Sequence, residues 1–179
     1  MNVSEDTDLV LAEVPIPRWI KSWFLLALDI PAVFYTIYLL YRIVSIRNLR
    51  EALHNHVIIV LLVISLVSQL TGVCFYVVYS KIDQVWLASP FFCNLWQFVD
   101  IGLFDMIGML LAYAAIERHV LIFHSSLVNT RRKRLIFHYI PLSLTIIYGL
   151  SVYIILIFFA PCENLYDYTQ PLCGSPCYL

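Results

Sequence analysis

The sequence predicts an all-α multipass membrane protein, a transmembrane bundle of four helices. Three observations lead to this fold class: 61% of the 179 residues are apolar, only 13% are charged, and the apolar residues are concentrated in four long runs. A water-soluble domain is about half apolar and about a quarter charged, so that class is excluded. The formal net charge of −1 leaves no basic excess for binding nucleic acid.

Each apolar run is long enough to cross a bilayer, which takes about 20 helical residues. The predicted spans are residues 23–46, 56–79, 91–123 and 136–159. Because short connections join these spans and the sequence contains no internal repeat, we expect one packed four-span domain over residues 22–159.

The four runs differ in the ionisable residues that they contain. The first contains Asp29, whereas the second and the fourth contain no Asp, Glu, Lys or Arg. The third carries Asp100 and Asp105 in its interior, with Glu117 and Arg118 near its end. Ionisable side chains at membrane depth are costly and are by default functional. The third run is therefore the first place to look for a site.

The distribution of Lys and Arg sets the expected orientation, because basic connections remain cytoplasmic. Eight basic residues flank the first-to-second and third-to-fourth connections, against three on the other side. We therefore expect residues 1–21 and 160–179 to be extracellular and the protein to lie in the plasma membrane. The run at residues 131–134 is interpreted as an orientation signal near anionic lipid. The eight basic residues are Arg42, Arg47, Arg50, Arg118, Arg131, Arg132, Lys133 and Arg134.

Four of the five cysteines fall on the predicted outer side, where disulfides persist. Four cysteines allow three pairings. By proximity in sequence we favour a local Cys162–Cys173 bond and a long-range Cys93–Cys177 bond, with Cys93–Cys173 as the next choice. A zinc site at the last three cysteines is a weaker alternative, because no histidine lies nearby. Cys74, within the second span, is interpreted as a small buried apolar residue.

One face of the predicted third helix carries a cysteine, an acid and a base in succession. At 100° per residue, Cys93 and Asp100 lie about 20° apart, and five full turns separate Asp100 from Arg118. Cys93 and Arg118 are about 37 Å apart along the axis, enough to span a bilayer. Asp105 lies about 140° around from Asp100, so we expect it to make a separate helix–helix hydrogen bond.

Residues 93–100 (CNLWQFVD), followed by residues 117–119 (ERH), resemble the third helix of the rhodopsin-like (class A) G-protein-coupled receptors. Trp86 resembles the tryptophan of the first extracellular loop of that family. The likeness covers about 100 residues, from the second helix to a cysteine-bearing second extracellular loop at residues 160–179. It implies a disulfide between Cys93 and that loop.

The resemblance also implies a function and a set of site residues. The protein would bind an extracellular ligand, an amine or a peptide, and signal to a heterotrimeric G protein. Asp100 would pair with a protonated amine, with Trp96 one turn outward. Glu117 would hold Arg118 at rest and release it on activation, with His119 completing the triplet. From the residues alone, Asp100 has a second interpretation, as a neutral or helix-bonded carboxyl.

Several positions depart from the pattern of the family. His119 stands where Tyr is usual, and the first helix lacks the expected Gly-Asn pair. Ser65 stands about where the family places its sodium-coordinating Asp. The fourth helix lacks a central Trp, and the sequence ends after the second outer loop. We therefore expect a partial or truncated receptor, without the last three helices.

Two other classes of function are kept open. One is a non-signalling four-helix membrane protein that associates with full-length receptors. Gly102, Gly108 and Ala112 favour it, because small residues on an exposed helix flank promote close helix pairing. The other is a transporter or proton-relay subunit that uses Asp100 and Asp105. No pattern of catalytic residues indicates an enzyme, and we expect no cofactor or metal.

The histidines near the predicted cytoplasmic helix ends are interpreted as interfacial polar groups. They are His54, His56, His124 and His138.

Overall fold

The computed structural model describes residues 18–47, 49, 53–123, 130–159, 162, 164, 166–174, 176 and 177. Over these residues it is 86% helical and contains no strand. Four helices are long and apolar enough to cross a membrane, so the predicted all-α four-span fold is confirmed. The expectations for residues 1–17 and for His124 fall outside the described residues.

The four helices follow one another along the chain. Helix α1 covers Arg18–Ser45 and α2 covers Leu53–Ile82. Helix α3 runs over Pro90–Phe123 and α4 over Arg131–Phe158. Beyond α4, a short 3-10 turn covers Pro171–Cys173.

Helices α3 and α4 each contain a turn of π-helix. In α3 the π-turn Phe98–Gly102 separates α-helical Pro90–Gln97 from Leu103–Phe123. Asp100 lies in the middle of this turn. A π-turn is wider than an α-turn and is often found at functional sites. Angular positions calculated for a regular α-helix therefore do not carry across Phe98–Gly102.

The second π-turn lies near the start of α4. Leu135–Tyr139 joins the α-helical turn Arg131–Arg134 to the long segment Ile140–Phe158. Helix α3 begins as its sequence favours. Ser89 is extended before Pro90, whose missing N–H costs nothing in the first turn.

Consecutive helices pack against one another, with α3 between α2 and α4. In the most apolar stretch of α3, 33% of the residues are buried inside the protein, compared with 6% in the corresponding stretch of α1. One cluster of the core contains residues from α2, α3 and α4: Val57, Met106, Leu110, Ala114 and Leu142. Helix α3 is therefore the central helix, and its three acidic side chains contact α2 or α4.

Large apolar side chains are exposed on every helix. One example from each helix, in chain order, has an exposed fraction between 47% and 70%: Phe34, Val67, Phe104 and Tyr148. Soluble monomers rarely expose so much apolar surface. A lipid environment satisfies it, and the protein is therefore a membrane protein.

Candidate functional site

Two disulfides fold the segment after α4 over the Pro90 end of α3, which we call the outer end of the bundle, the opposite end being the inner end. Cys93 pairs with Cys173 (Cα–Cα 5.7 Å), and Cys162 pairs with Cys177 (Cα–Cα 6.1 Å). The favoured pairing of Cys93 with Cys177 and of Cys162 with Cys173 is therefore wrong, as is the zinc alternative. Proximity in sequence fails because the chain reverses at Pro171–Cys173, where two non-glycine residues have positive φ. The reversal brings Cys173 to α3.

We call residues 166–174 the outer cap. It is attached to α2, α3 and the loop between them by hydrogen bonds as well as by the Cys93–Cys173 bond. Side chains on both sides of the contact are donors, so the cap has a defined position. The bonds are Tyr79 Oη to Thr169 O (2.7 Å), Val85 N to Tyr168 O (3.0 Å), Tyr166 Oη to Asn94 Oδ1 (2.9 Å) and Gln97 Nε2 to Leu172 O (3.0 Å).

Trp96 lies beneath the cap in a cluster of aromatic rings. Its ring centroid is 5.4–6.3 Å from those of Phe75, Tyr76, Tyr79 and Phe92. Only 1% of Trp96 is exposed, and its indole N–H has no hydrogen-bond partner within the described residues. The structure therefore places Trp96 in the core, where it supports the outer end of α3 from within.

Asp100 lies on the π-turn below this cluster and is partly exposed. Its Oδ2 accepts a hydrogen bond from the hydroxyl of Tyr76 on α2 (3.1 Å). Tyr76 also contacts Trp96 edge to face, so the aromatic cluster fixes the donor. Asp100 forms no ion pair with any described basic side chain. The arrangement offers a carboxylate, held by one neutral donor, to a cation from outside the bundle.

Asp105 belongs to a different contact. Its Oδ2 accepts a hydrogen bond of 2.5 Å from the hydroxyl of Tyr153 on α4, which confirms the expected helix–helix hydrogen bond. Gly102 lies at the same interface, since a Cβ on it would be 3.2 Å from Tyr153. The expectation that Gly102 lies on an exposed flank is therefore wrong. Gly108 and Ala112 are exposed, as expected.

At the inner end of the bundle, Glu117 on α3 contacts His138 on α4. The contact joins Glu117 Oε1 to His138 Nδ1, and the two residues are only 6% and 1% exposed. The hydroxyl of Tyr113 donates to the carbonyl oxygen of His138 (2.9 Å), and the ring of His56 lies 5.5 Å away. The interpretation of His138 as an interfacial group is wrong, because α3 covers it.

Arg118 points away from Glu117 and is exposed. The two side chains form no ion pair in the described structure, so the implied pair is replaced by the contact with His138. Arg118 borders a groove of about 420 Å³, lined also by Asn55 and Ile58 of α2. His119 is exposed as well, with its ring 4.6 Å from that of Phe123. Arg118 is thus exposed beside this groove.

Two further expectations concern cysteine and metal. Cys74 is exposed on α2 as a free thiol, so its interpretation as a buried residue is wrong. It faces outward because α2 is covered on only part of its surface.

Within the described residues, no group of three or more His, Cys, Asp or Glu side chains could hold a metal ion.

Comparison with known proteins gives no relative: no family model, curated protein or solved structure matches the chain. Its function is therefore inferred from the spacing of its own residues and the geometry they adopt. The features that bear on function are the capped outer end, the carboxylate of Asp100 and the exposed Arg118.

Proposed function

We propose that the protein is a receptor of the rhodopsin-like G-protein-coupled class, whose described residues form four transmembrane helices and an outer cap. Its ligand is extracellular and carries a protonated amine, which pairs with Asp100. The observation that carries this proposal is the combination of a disulfide-bonded cap with a membrane-depth carboxylate below it. Asp100 lies about 10 Å below Cys93 along α3.

The two aspartates of α3 differ in how fully their neighbours satisfy them. Asp105 accepts a hydrogen bond of 2.5 Å from Tyr153 between two packed helices. Asp100 accepts a longer bond of 3.1 Å from Tyr76, and both aspartates are partly exposed. An ammonium group would supply the opposite charge and a stronger, charge-assisted hydrogen bond. Of the two acids, Asp100 is therefore the better ligand contact.

Trp96 has a supporting role in this proposal. Its buried ring packs on Tyr76, and Tyr76 donates to Asp100. The aromatic cluster therefore orients the carboxylate, while the ligand itself contacts Asp100 from the partly exposed side.

The proposed orientation places the cap outside the cell and residues 131–134 in the cytoplasm. Disulfides persist in an oxidising compartment, and the side rich in Lys and Arg remains cytoplasmic. Both observations support this orientation, and the membrane that we propose is the plasma membrane. The proposed cytoplasmic partner is a heterotrimeric G protein, which would meet the exposed Arg118 beside its groove.

The proton-relay alternative gains no support from these contacts. Asp100 and Asp105 are bonded to different tyrosines, on α2 and α4 respectively. A relay needs a continuous chain of proton-carrying groups, and these two bonds diverge from α3.

The ligand proposal is tested by screening a library of amines against the full chain in lipid nanodiscs, with binding read as a rise in melting temperature. Asp100→Asn removes the charge and keeps the size of the side chain. It should weaken binding of any amine found by about thirtyfold or more, because truncating one partner of a buried charge pair costs at least about 2 kcal/mol. Tyr76→Phe should weaken it less, because the carboxylate remains.

Asp105→Asn is the matched control, since it removes the same charge from the same helix. Asp105→Asn should still bind the amine. Because the variant is expected to be less stable, its rise in melting temperature is measured relative to the same variant without ligand. Equal binding by wild type and Asp100→Asn would reject the amine site. Loss of binding in Asp105→Asn alone would move the site to the other acid.

A further inference from the structure

The first turns of α4 form a basic pocket that the receptor proposal does not use. All four residues of Arg131–Arg134 are exposed, and none is buried against another helix. The three arginines among them border an open cavity of about 960 Å³. The pocket is lined by three arginines, an apolar residue and a tyrosine: Arg131, Arg132, Arg134, Leu135 and Tyr139.

The length of α4 places this pocket at the level of lipid headgroups. Arg131–Phe158 contains 28 residues, which extend about 42 Å. The hydrocarbon core of a bilayer is about 30 Å thick. The helix is therefore longer than the core, and its charged first turn lies outside the acyl chains. Immediately above, Ile136 and Phe137 are about half exposed and suit contact with lipid tails.

The local geometry brings the arginines together around the pocket. Arg131 and Leu135 are four residues apart, as are Leu135 and Tyr139, and side chains at this spacing lie on about the same face of a helix. Arg131, Leu135 and Tyr139 therefore form one wall, with Arg132 and Arg134 beside it. No acidic side chain lines the pocket in the described part of the chain.

We propose that this pocket binds the headgroup of a polyphosphorylated phosphoinositide in the adjacent leaflet. Guanidinium groups bind phosphate through two parallel hydrogen bonds, so three arginines match a headgroup with several phosphates. Phosphatidylserine offers a single net charge and would engage only one of them. The apolar residues above the pocket then accommodate the acyl chains. This inference uses neither Asp100 nor Arg118, and it shares with the receptor proposal only the orientation that places residues 131–134 at the cytoplasmic leaflet, where phosphoinositides lie.

The test counts lipid bound to the full purified chain by native mass spectrometry. The probes are a phosphatidylinositol bisphosphate, phosphatidylserine and phosphatidylcholine, added at equal concentration. Arg131→Gln/Arg134→Gln alters the pocket. Lys21→Gln/Lys81→Gln removes the same charge from two exposed lysines elsewhere.

Wild type should bind the bisphosphate lipid about tenfold or more tightly than phosphatidylserine. Each basic residue at a membrane surface contributes about a factor of five to binding, so the pocket variant should bind the bisphosphate lipid about twenty-five-fold more weakly. The lysine variant should bind it as wild type does. Arg131→Lys/Arg134→Lys keeps the charge but loses the paired hydrogen bonds, and its affinity should fall between the two.

Three results would overturn the proposal. Equal binding of phosphatidylserine and the bisphosphate lipid would indicate general attraction to anionic lipid. Equal losses in the arginine and lysine variants would place the effect outside the pocket. Full competition by the free inositol phosphate headgroup, at a concentration equal to that of the lipid, would show that the ligand need not be a lipid. Melting temperatures of all variants, measured without lipid, separate these results from a folding defect.

Discussion

Glu117 and His138 are in direct contact at the inner end of the bundle, where both side chains are almost completely buried. This contact joins α3 to α4 and leaves Arg118, the next residue along α3, exposed beside a groove. Adjacent residues point to different surroundings because a helix turns about 100° per residue. The acid is therefore structural in this conformation, and the base is available to a partner.

The contact predicts a defined pattern of stability. His138→Ala should lower the free energy of unfolding by about 1–3 kcal/mol, because it leaves a buried acceptor on Glu117 without its partner. The combined variant Glu117→Leu/His138→Leu should recover part of the loss, since apolar groups of similar size need no partner. Thermal unfolding in detergent measures both. A double variant less stable than the single one would contradict this account of the contact.

Gly102 and Gly108 provide a matched pair on one helix. A Cβ on Gly102 would lie 3.2 Å from Tyr153 and from Phe98, whereas one on Gly108 would meet nothing within 4 Å. Gly102→Ala should therefore destabilise the protein by about 1–3 kcal/mol through overpacking. Gly108→Ala should be neutral or slightly stabilising, because Ala favours the helix. Melting temperatures that fall equally in both variants would argue against the close α3–α4 approach.

The two disulfides should contribute unequally to stability. They close loops with sequence separations of 80 and 15 residues, which correspond to about 4.5 and about 3 kcal/mol in the chain-entropy account. Cys173→Ser should therefore lower the melting temperature more than Cys177→Ser. Non-reducing peptide mapping should recover Cys93 linked to Cys173. Finding Cys93 linked to Cys177 instead would refute the position of the cap.

The fold was predictable because the length of an apolar run is a local property of the sequence. All four predicted spans correspond to helices, but each helix extends beyond its apolar run. The fourth was predicted at residues 136–159, whereas α4 begins at Arg131. A helix can continue into the headgroup region, where polar residues are favourable, so hydropathy alone sets its start too late.

The site was predictable only where the chemistry of a single side chain decides it. A helix–helix hydrogen bond of Asp105 follows from the need of a membrane carboxyl for a donor, but the sequence did not identify Tyr153 as that donor. The partner of Cys93 depends on a chain reversal at Pro171–Cys173, which proximity in sequence does not show. The contact between Glu117 and His138 depends on how α3 and α4 are rotated about their axes, and each contains a π-turn that alters this rotation.

The cap should loosen in acid through Asp167. Hydrogen bonds donated by the hydroxyl and then by the backbone N–H of Thr169 lower the pKa of Asp167. The pKa of Asp167 in the unfolded chain is near 3.8, and its pKa in the folded protein is lower. Ionised Asp167 therefore stabilises the folded protein above the unfolded pKa, and this stabilisation is lost as the pH falls through the folded pKa. Amide hydrogen exchange at Thr169, corrected for intrinsic rates, should therefore speed up below about pH 4.

Thr169→Ala is the control for this pH dependence, because it removes the hydroxyl donor and keeps the backbone N–H. Exchange in the variant should be faster at neutral pH and should change less in acid. A variant with the same acid response as wild type would show that another group controls the cap.

The orientation can be tested with single cysteines at the two ends of the bundle. Lys81 lies at the end of α2 near the cap, and Arg132 lies at the opposite end, on α4; both are exposed. In a Cys74→Ala background the other four cysteines are disulfide-bonded, so an introduced cysteine carries the only free thiol. Because eight basic residues lie on the Arg132 side against three on the other, that side should be cytoplasmic. A membrane-impermeant maleimide added to intact cells should therefore label Lys81→Cys, and should label Arg132→Cys only after permeabilisation. The reverse pattern would place the cap in the cytoplasm, where reducing conditions oppose its disulfides, and would reject an extracellular ligand for Asp100.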